Sequence, residues 1–113
     1  MQAVGFEVTA QQAGPDGSVL HAEVRYGDAV LMVATADGDY QVPPLLGLST
    51  GGGLYLWMDD ASAVDTWFGR AVEAGARSVF PPEDTAWSTR RARVLDPEGH
   101  EWSAGTYRPG RSW

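Results

Sequence analysis

One stretch of the chain has the periodicity of a helix, and most of the rest alternates as strands do. Within residues 61–74 the apolar side chains recur three and four positions apart and form one stripe: Val64, Trp67, Phe68, Ala71 and Val72. Gly75 predicts a left-handed end to this helix. Its start is either Asp60 or a capping box of Ser62 with Asp65. A single one-sided helix among strands predicts an α+β fold, with the helix lying on a sheet.

Seven segments have the apolar alternation or the continuous apolar run of a strand. They are residues 6–9, 19–26, 29–35, 54–58, 76–80, 90–95 and 100–107. The first three are joined by short turns, which predicts an antiparallel set. Residues 81–89, with Pro81-Pro82 at their start, are expected to form a long loop that carries Trp87.

The two halves of the chain repeat at an offset of 70 residues. With Gly5 set against Gly75, the strand at 6–9 falls on 76–79, and the turn at 27–28 falls on 97–98. The helix and the strand before it have no counterpart in the first half. We therefore expect two βαβββ modules, of which the first lacks its opening strand and helix.

The length of 113 residues predicts a single domain over residues 1–113, and the repeat divides this domain into two modules. Module one covers residues 1–35, a linker rich in Gly and Pro covers 36–53, and module two covers 54–107. The residues from Gln2 to Gly5 look like the last turn of a helix.

Composition excludes several classes of function. The chain has no Cys, so disulfides, thiolate nucleophiles and thiolate metal sites are absent. The chain has eight basic residues, all Arg, and 15 acidic ones, so its net charge is −7. This charge argues against a nucleic-acid partner, because binding to nucleic acid requires a basic surface. The sequence contains no run of about 18 apolar residues, so no membrane-spanning helix is predicted. The start carries no targeting pattern, so the expected location is the cytoplasm.

Three segments together resemble the vicinal oxygen chelate superfamily, which includes glyoxalase I, bleomycin-resistance proteins and extradiol dioxygenases. They are "GFEVTA" at 5–10, "LYLWMDDASAVDTWFGRAVEAGA" at 54–76 and "DPEGHEWSAGTY" at 96–107. In style the chain is similar to the PhnB-like or glyoxalase-like subgroup. The resemblance implies that each module is a curved mixed sheet with its helix outside, and that the two sheets surround a cavity.

The resemblance also implies where a metal would bind. Metal-dependent members place a His or Gln on the first strand of each module and a Glu on the last strand. In this chain those positions fall at Met32, Gly53 and Ser103, while the opening strand of the first module is missing. Met, Gly and Ser do not make a site for a divalent cation. We therefore expect no metal and no cofactor.

A ligand site is expected on the strand faces that the resemblance turns toward the cavity. Tyr55 and Trp57 share such a face, where aromatic rings would suit a flat organic ligand or would pack as ordinary core. Arg91 and Arg93 would bind a carboxylate or phosphate, or else pair with surface acids. Trp87 would act as a lid, or as an anchor for its loop or for a dimer. The predicted ligand-binding residues are Met32, Tyr55, Trp57, Trp87, Arg91, Arg93 and Ser103.

No catalytic residue is assigned from the sequence. His21 and Glu23 lie two residues apart on one strand face. The pair is consistent with three roles: a general base with its orienting carboxylate, two metal ligands, or part of a charged sheet surface. His100 follows the turn at 96–99 and is expected to be an exposed turn residue.

The expected function is that of a metal-free small-molecule binding protein that sequesters a partly aromatic ligand. The alternative is a metal-dependent lyase, isomerase or dioxygenase with an atypical ligand set, to which His21 and Glu23 contribute. A degenerate module without a ligand is the third option. Because a three-stranded half-sheet has an unpaired edge, we expect a homodimer, with domain swapping as one way to form it.

Overall fold

A computed structural model of the chain describes residues 2–34 and 52–110. These residues form seven strands and one α helix, with the strands in two curved, open sheets of three and four strands. The chain divides into two compact units, Met1–Pro44 and Leu45–Trp113, and each holds one sheet. The predicted α+β class is confirmed. Residues 36–51 of the predicted linker lie outside the described residues.

The N-terminal unit is an antiparallel meander of β1 (Glu7–Ala13), β2 (Val19–Tyr26) and β3 (Ala29–Ala34). The bounds predicted for β2 are confirmed. The prediction that the first strand ends at residue 9 is wrong. Polar residues continue β1, because Gln11 and Gln12 still pair with residues of β2 after a register shift.

The start of this unit has the local geometry of a helix end. Gln2–Val4 is a 3-10 turn, and the amide of Gly5 donates to the carbonyl oxygen of Gln2 at 3.1 Å. Seventy residues later the amide of Gly75 makes the same bond to Val72 at 3.0 Å. Both glycines have a positive φ, of 99° and 110°, which an L side chain rarely adopts. The repeat expected from the sequence therefore holds at this turn.

The C-terminal unit is a complete βαβββ module. Its elements are β4 (Gly53–Trp57), α1 (Ala61–Glu73), β5 (Arg77–Asp84), β6 (Arg90–Leu95) and β7 (Glu101–Gly105). The strand order is β4-β7-β6-β5, with β4 parallel to β7 and the other pairs antiparallel. The predicted strand at 100–107 is thus shorter in the structure.

The predicted loop at 81–89 is wrong for its first four residues. β5 continues to Asp84, because Glu83 and Asp84 pair with Arg91 and Arg90 of β6. Prolines suit an edge strand and an irregular ladder, and the register shifts between Phe80 and Glu83. Only residues 85–89, with Trp87 among them, connect β5 to β6.

The helix begins at Asp60, whose carboxylate accepts a hydrogen bond of 2.8 Å from the amide of Ala63. The Ser62 hydroxyl donates to the same carboxylate oxygen at 2.9 Å. The alternative capping box of Ser62 with Asp65 is wrong, because Asp65 pairs with Arg90 on β6 instead. No helix in the described ranges has the length and apolar character of a membrane span.

The core of this unit lies between the helix and one face of the sheet. From α1 the buried residues are Val64, Trp67 and Ala71. From the sheet and its margins they are Leu56, Met58, Ala92, Val94, Trp102 and Ala104. Since side chains alternate along a strand, the residues between these buried ones lie on the side of the sheet away from the helix. This side is called the helix-free face, and it includes Tyr55, Trp57, Arg91, Arg93, Ser103 and Gly105.

The D-P-E-G turn before β7 is organised by Asp96. One carboxylate oxygen accepts bonds of 2.9 Å from the amides of Glu98 and His100, and the other accepts one of 2.9 Å from Trp102 Nε1. Burial alone would raise the pKa of Asp96, but these hydrogen bonds outweigh it and hold the pKa below 3.8. The turn thereby fixes where β7 starts and how its buried Trp102 lies.

Candidate functional site

Strand pairing places two rows of side chains across the helix-free face. In the first row the paired residues, from β4 to β5, are Tyr55, Ser103, Arg93 and Phe80. In the second row they are Trp57, Gly105, Arg91 and Glu83. Neighbours within a row are close enough to interact directly. The face therefore carries aromatic side chains at the β4 side and arginines on β6.

The two arginines stack with aromatic rings. The guanidinium carbons of Arg91 and Arg93 each lie 5.1 Å from the centre of the Phe80 ring, and that of Arg91 lies 5.7 Å from Trp87. A guanidinium at this distance is attracted to the ring face. These four residues, Arg93, Phe80, Arg91 and Trp87, are called here the arginine–aromatic ladder.

Each arginine of the ladder is also held through its Nε atom. Arg91 Nε donates to Glu83 Oε1 at 3.1 Å. Arg93 Nε donates to Ser103 Oγ at 2.9 Å and lies 3.9 Å from Glu101 Oε2. Among the described residues no group accepts a hydrogen bond from the Nη atoms of either arginine. The Nε bonds thus orient the two guanidinium planes, and no described residue occupies their terminal amino groups.

Tyr55 lies flat against β7, because Gly105 leaves room for its ring. Its hydroxyl donates to the carbonyl oxygen of Tyr107 at 2.5 Å. Burial, the larger cause, and the nearby Tyr107 phenol raise the pKa of Tyr55 above its ordinary value of about 10. Tyr55 is therefore a neutral phenol at physiological pH, with its oxygen directed to one edge of the face.

A pocket of about 290 Å³ opens beside the ladder. It is lined by Tyr55, Trp87, Thr89, Arg90, Arg91 and Tyr107. This volume lies at the small end of ligand pockets. The Arg90 guanidinium on its wall is already paired with Asp65 at 2.7 Å and Asp84 at 3.0 Å. Arg91 and the aromatic rings are therefore the wall groups with capacity to bind a further molecule.

Trp57 stands at the other end of the second row. The Arg108 guanidinium carbon lies 4.6 Å from the centre of its ring. Trp57 and Tyr55 are each 39% exposed, and Trp87 is 55% exposed. Three large aromatic side chains on one side of a small unit thus remain open to a ligand.

Six of the seven predicted ligand-binding residues come together in this unit. Met32 lies instead on β3 of the other unit, opposite Glu23, and is 71% exposed. Sequence reasoning missed Phe80 and Arg108. The signal for Phe80 is hidden by the register shift between Ser78 and Phe80, which turns its ring to the side of Arg93.

The donor chemistry at the expected metal positions can be tested against the structure. Glu23 and Arg93 correspond at the repeat offset of 70, and their strand partners are Met32 and Ser103. This pairing supports the equivalence of Met32 in the first module and Ser103 in the second. Ser103 Oγ accepts from Arg93, and a β-carbon on Gly53 would stand 2.8 Å from Glu101 Oε2. These positions supply neither an imidazole nor a carboxylate, so the residues present do not fit a divalent cation.

His21 and Glu23 share one face of β2, opposite Ala34 and Met32 on β3. At the repeat offset of 70 they correspond to Arg91 and Arg93. Within residues 2–34 and 52–110 no three potential ligands among His, Cys, Asp and Glu form a group that could hold a metal ion. His100 is exposed and follows the turn, as predicted.

Comparison with known families identifies the class of this fold. The family model of the glyoxalase/bleomycin resistance protein/dioxygenase superfamily matches residues 1–104. The chain belongs to this superfamily, which confirms the resemblance of its motifs.

Individual relatives agree with this placement. Uncharacterized proteins of Mycobacterium bovis and Mycobacterium tuberculosis are 37% identical over 115 residues. The match covers 91% of this chain, which spans 73% of the first relative's length and 65% of the second's. TioX from Micromonospora sp. ML1 is similar in structure, with 27% identity and a TM-score of 0.64 over 97% of this chain and 83% of TioX. A bleomycin resistance determinant encoded on the transposon Tn5 shares the fold, with 18% identity and a TM-score of 0.59 over 95% of this chain and 82% of its own.

Proposed function

We propose that this protein binds a small, partly aromatic molecule on the helix-free face and holds it without chemical conversion or a metal ion. The observation that carries the proposal is the arginine–aromatic ladder beside the 290 Å³ pocket. A ligand ring placed there would stack on Trp87 or Tyr55 and extend the alternation of rings and guanidinium groups.

The exposure of the aromatic residues supports binding. Large exposed apolar groups gathered on one surface mark interaction sites more often than chance. Tyr55, Trp57 and Trp87 lie on or beside one face, whereas Trp67 of the helix and Trp102 of β7 are buried in the core between the helix and the sheet. Covering apolar area on such a face stabilises a complex by about 25 cal/mol per Å² before the costs of association.

The state of the polar groups supports capture over catalysis. Ser103 Oγ and Glu83 accept hydrogen bonds from arginines, Glu101 lies within ion-pair distance of Arg93, and the Tyr55 hydroxyl donates to a backbone carbonyl. A catalytic base needs a carboxylate or imidazole free to take a proton near the substrate. The groups on this face are suited instead to orienting a ligand.

The alternative is a metal-dependent lyase, isomerase or dioxygenase that uses an atypical ligand set. Its support is the pair of His21 and Glu23, two potential ligands on one strand face. Metal analysis of the purified protein separates the two functions. Stoichiometric Zn, Ni, Mn or Fe that is lost in a His21→Ala variant would favour the enzyme.

We further propose that the protein acts as a homodimer in the cytoplasm. The three-stranded sheet has two edges, β1 and β3, that pair with no other strand in the described ranges, and a second copy would cover one of them. Light scattering at high protein concentration tests this. A mass of one chain throughout would contradict it.

Binding is tested directly with a neutral bicyclic probe, 2-naphthamide. We expect it to quench tryptophan fluorescence in a saturable manner and to raise the melting temperature by mass action. A Trp87→Ala variant should bind it more weakly, and an Arg70→Gln variant, altered on the exposed side of the helix, should bind it as the wild type does. Absence of saturable binding would count against the proposal.

A further inference from the structure

We propose that the ligand of the helix-free face carries a carboxylate, which is bound by the Nη atoms of Arg91 and Arg93. The proposed ligand class is therefore a planar aromatic acid. This inference rests on the proposed function, because it adds a charged group to the molecule that the aromatic side chains hold.

The first support is the unused capacity of the two guanidinium groups. Among the residues that the structure describes, each group donates to acceptors through Nε alone, along one edge of its plane. The terminal amino groups of an arginine form a fork that matches a carboxylate. In the described part of the chain no group accepts a hydrogen bond from these atoms, so an acidic ligand would displace no existing contact.

The second support is preorganisation. Arg91 and Arg93 both stack on one ring, with each guanidinium carbon 5.1 Å from the centre of Phe80. Their Nε bonds to Glu83 and Ser103 fix the planes further. Two long side chains thus lose less freedom on binding an anion than free surface arginines would.

The third support is the local charge. The whole chain carries a net charge of −7. Around this face, however, positive and negative groups are equal in number, four of each: Arg90, Arg91, Arg93 and Arg108 against Asp65, Asp84, Glu83 and Glu101. Because there is no surplus of positive charge, the two glutamates repel a doubly charged phosphate more strongly than a singly charged carboxylate. The charge therefore favours an aromatic carboxylate over an aromatic phosphate.

Four probes with the same ring system test the inference: 2-naphthoate, 2-naphthamide, 2-naphthylmethylamine and 2-naphthyl phosphate. Affinity is measured by tryptophan quenching in low salt with the wild-type protein. We expect 2-naphthoate to bind about tenfold more tightly than the amide, as a hydrogen-bonded ion pair implies. The amine should bind most weakly, and the phosphate should bind less tightly than the carboxylate.

Variants show whether the preference comes from the arginines. Arg91→Gln and Arg93→Gln should each remove most of the advantage of naphthoate over naphthamide, measured as the ratio of the two affinities within the same variant. Glu83→Gln should strengthen naphthoate binding, because the amide oxygen can still accept from Arg91 Nε while the negative charge that repels the ligand is removed. Arg70→Gln, on the helix, is the matched control and should leave the preference intact. Circular dichroism and melting temperature verify that each variant folds.

The outcomes separate this inference from the function on which it rests. Equal binding of the acid and the amide, or an acid preference that survives in both arginine variants, would overturn the carboxylate inference and leave aromatic capture standing. A preference for the phosphate would also overturn it. Absence of binding by all four probes would contradict the aromatic site itself, and the inference with it.

Discussion

A β-carbon on Gly105 would stand 2.6 Å from the hydroxyl oxygen of Tyr55. The Tyr55 ring crosses β7 at this glycine, and its hydroxyl reaches the carbonyl oxygen of Tyr107. The same added carbon would lie 3.2 Å from the Arg90 carbonyl oxygen, so the backbone limits any relaxation. Gly105 is therefore the residue that lets an aromatic ring lie against the sheet beside the pocket.

Replacing Gly105 with Ala should force Tyr55 out of this position. We expect Gly105→Ala to destabilise the fold by about 1–3 kcal/mol, as overpacking does, and to weaken the binding of 2-naphthamide. Chemical denaturation and a fluorescence titration measure the two effects. Unchanged stability and affinity would show that the ring does not depend on this glycine.

The origin of that cost can be isolated with a second substitution. Tyr55→Phe alone should cost about 1 kcal/mol, because it removes the hydrogen bond to Tyr107. Combined with Gly105→Ala it also removes the atom nearest to the new methyl group. We expect the double variant to be more stable than the sum of the two single effects predicts. Strict additivity would mean that the two residues do not meet.

The Asp96 carboxylate predicts an acid-sensitive turn. Its folded-state pKa lies below the ordinary value of 3.8, so its contribution is present above about pH 4 and disappears as the pH falls through the lower, folded-state pKa. Asp96→Asn should destabilise the protein by about 1–3 kcal/mol near neutral pH, because one amide group cannot accept on both sides.

Denaturation curves from pH 7 to pH 2 measure this. The difference in stability between the wild type and Asp96→Asn should narrow below about pH 4. A difference that stays constant over the whole range would show that the ionised form of Asp96 does not hold the turn.

Trp87 distinguishes a binding role from a structural one. The side chain is 55% exposed and lies on the five-residue connection between β5 and β6. We expect Trp87→Ala to change the free energy of unfolding by less than about 0.5 kcal/mol, as for ordinary surface substitutions, while naphthoate binding falls several-fold. If the melting temperature drops and affinity does not, Trp87 anchors its connection and takes no part in binding.

Arg90 joins the helix to the sheet through Asp65 and also pairs with Asp84. These hydrogen bonds, that to Asp65 first, raise the pKa of Arg90 above its ordinary value. We expect Asp65→Ala to lower the melting temperature slightly and Asp84→Ala to lower it less, because Asp84 is the more exposed partner. The reverse order would show that the contact between the helix and the sheet contributes little.

The strands that sequence located best are those with sustained alternation. Residues 20–25 and 91–94 alternate between apolar and polar side chains, and the predicted bounds of 19–26 and 90–95 are those of β2 and β6. The ends of β1 and β5 were missed, because Gln11, Gln12 and the two prolines do not have a strand pattern. Pairing with a neighbouring strand, which a single sequence does not show, extends both elements.

The same limit applies to the site. Alternation showed which residues of one strand share a face, and the resemblance predicted that Tyr55 and Ser103 face the same cavity; the side on which Arg93 lies was left open and is settled by strand pairing. Phe80 was missed because an extra residue in β5 reverses the side on which its ring lies. Arg108 was missed because its contact with Trp57 is made beyond the end of β7. The position of Phe80 depends on the register between two strands, and that of Arg108 depends on a contact made outside any strand. Periodicity within one strand encodes neither.

The helix-free face as a ligand site is tested most directly by the protein's own indole groups. In a nitrogen-15-labelled sample each tryptophan side chain gives one N–H signal, assigned through single Trp→Phe variants. On addition of 2-naphthoate we predict saturable shifts for Trp57 and Trp87, on or beside the helix-free face. We predict none for Trp67 and Trp102, which are buried in the core between the helix and the sheet. Shifts confined to Trp67 and Trp102, or no shift in any of the four, would contradict the account.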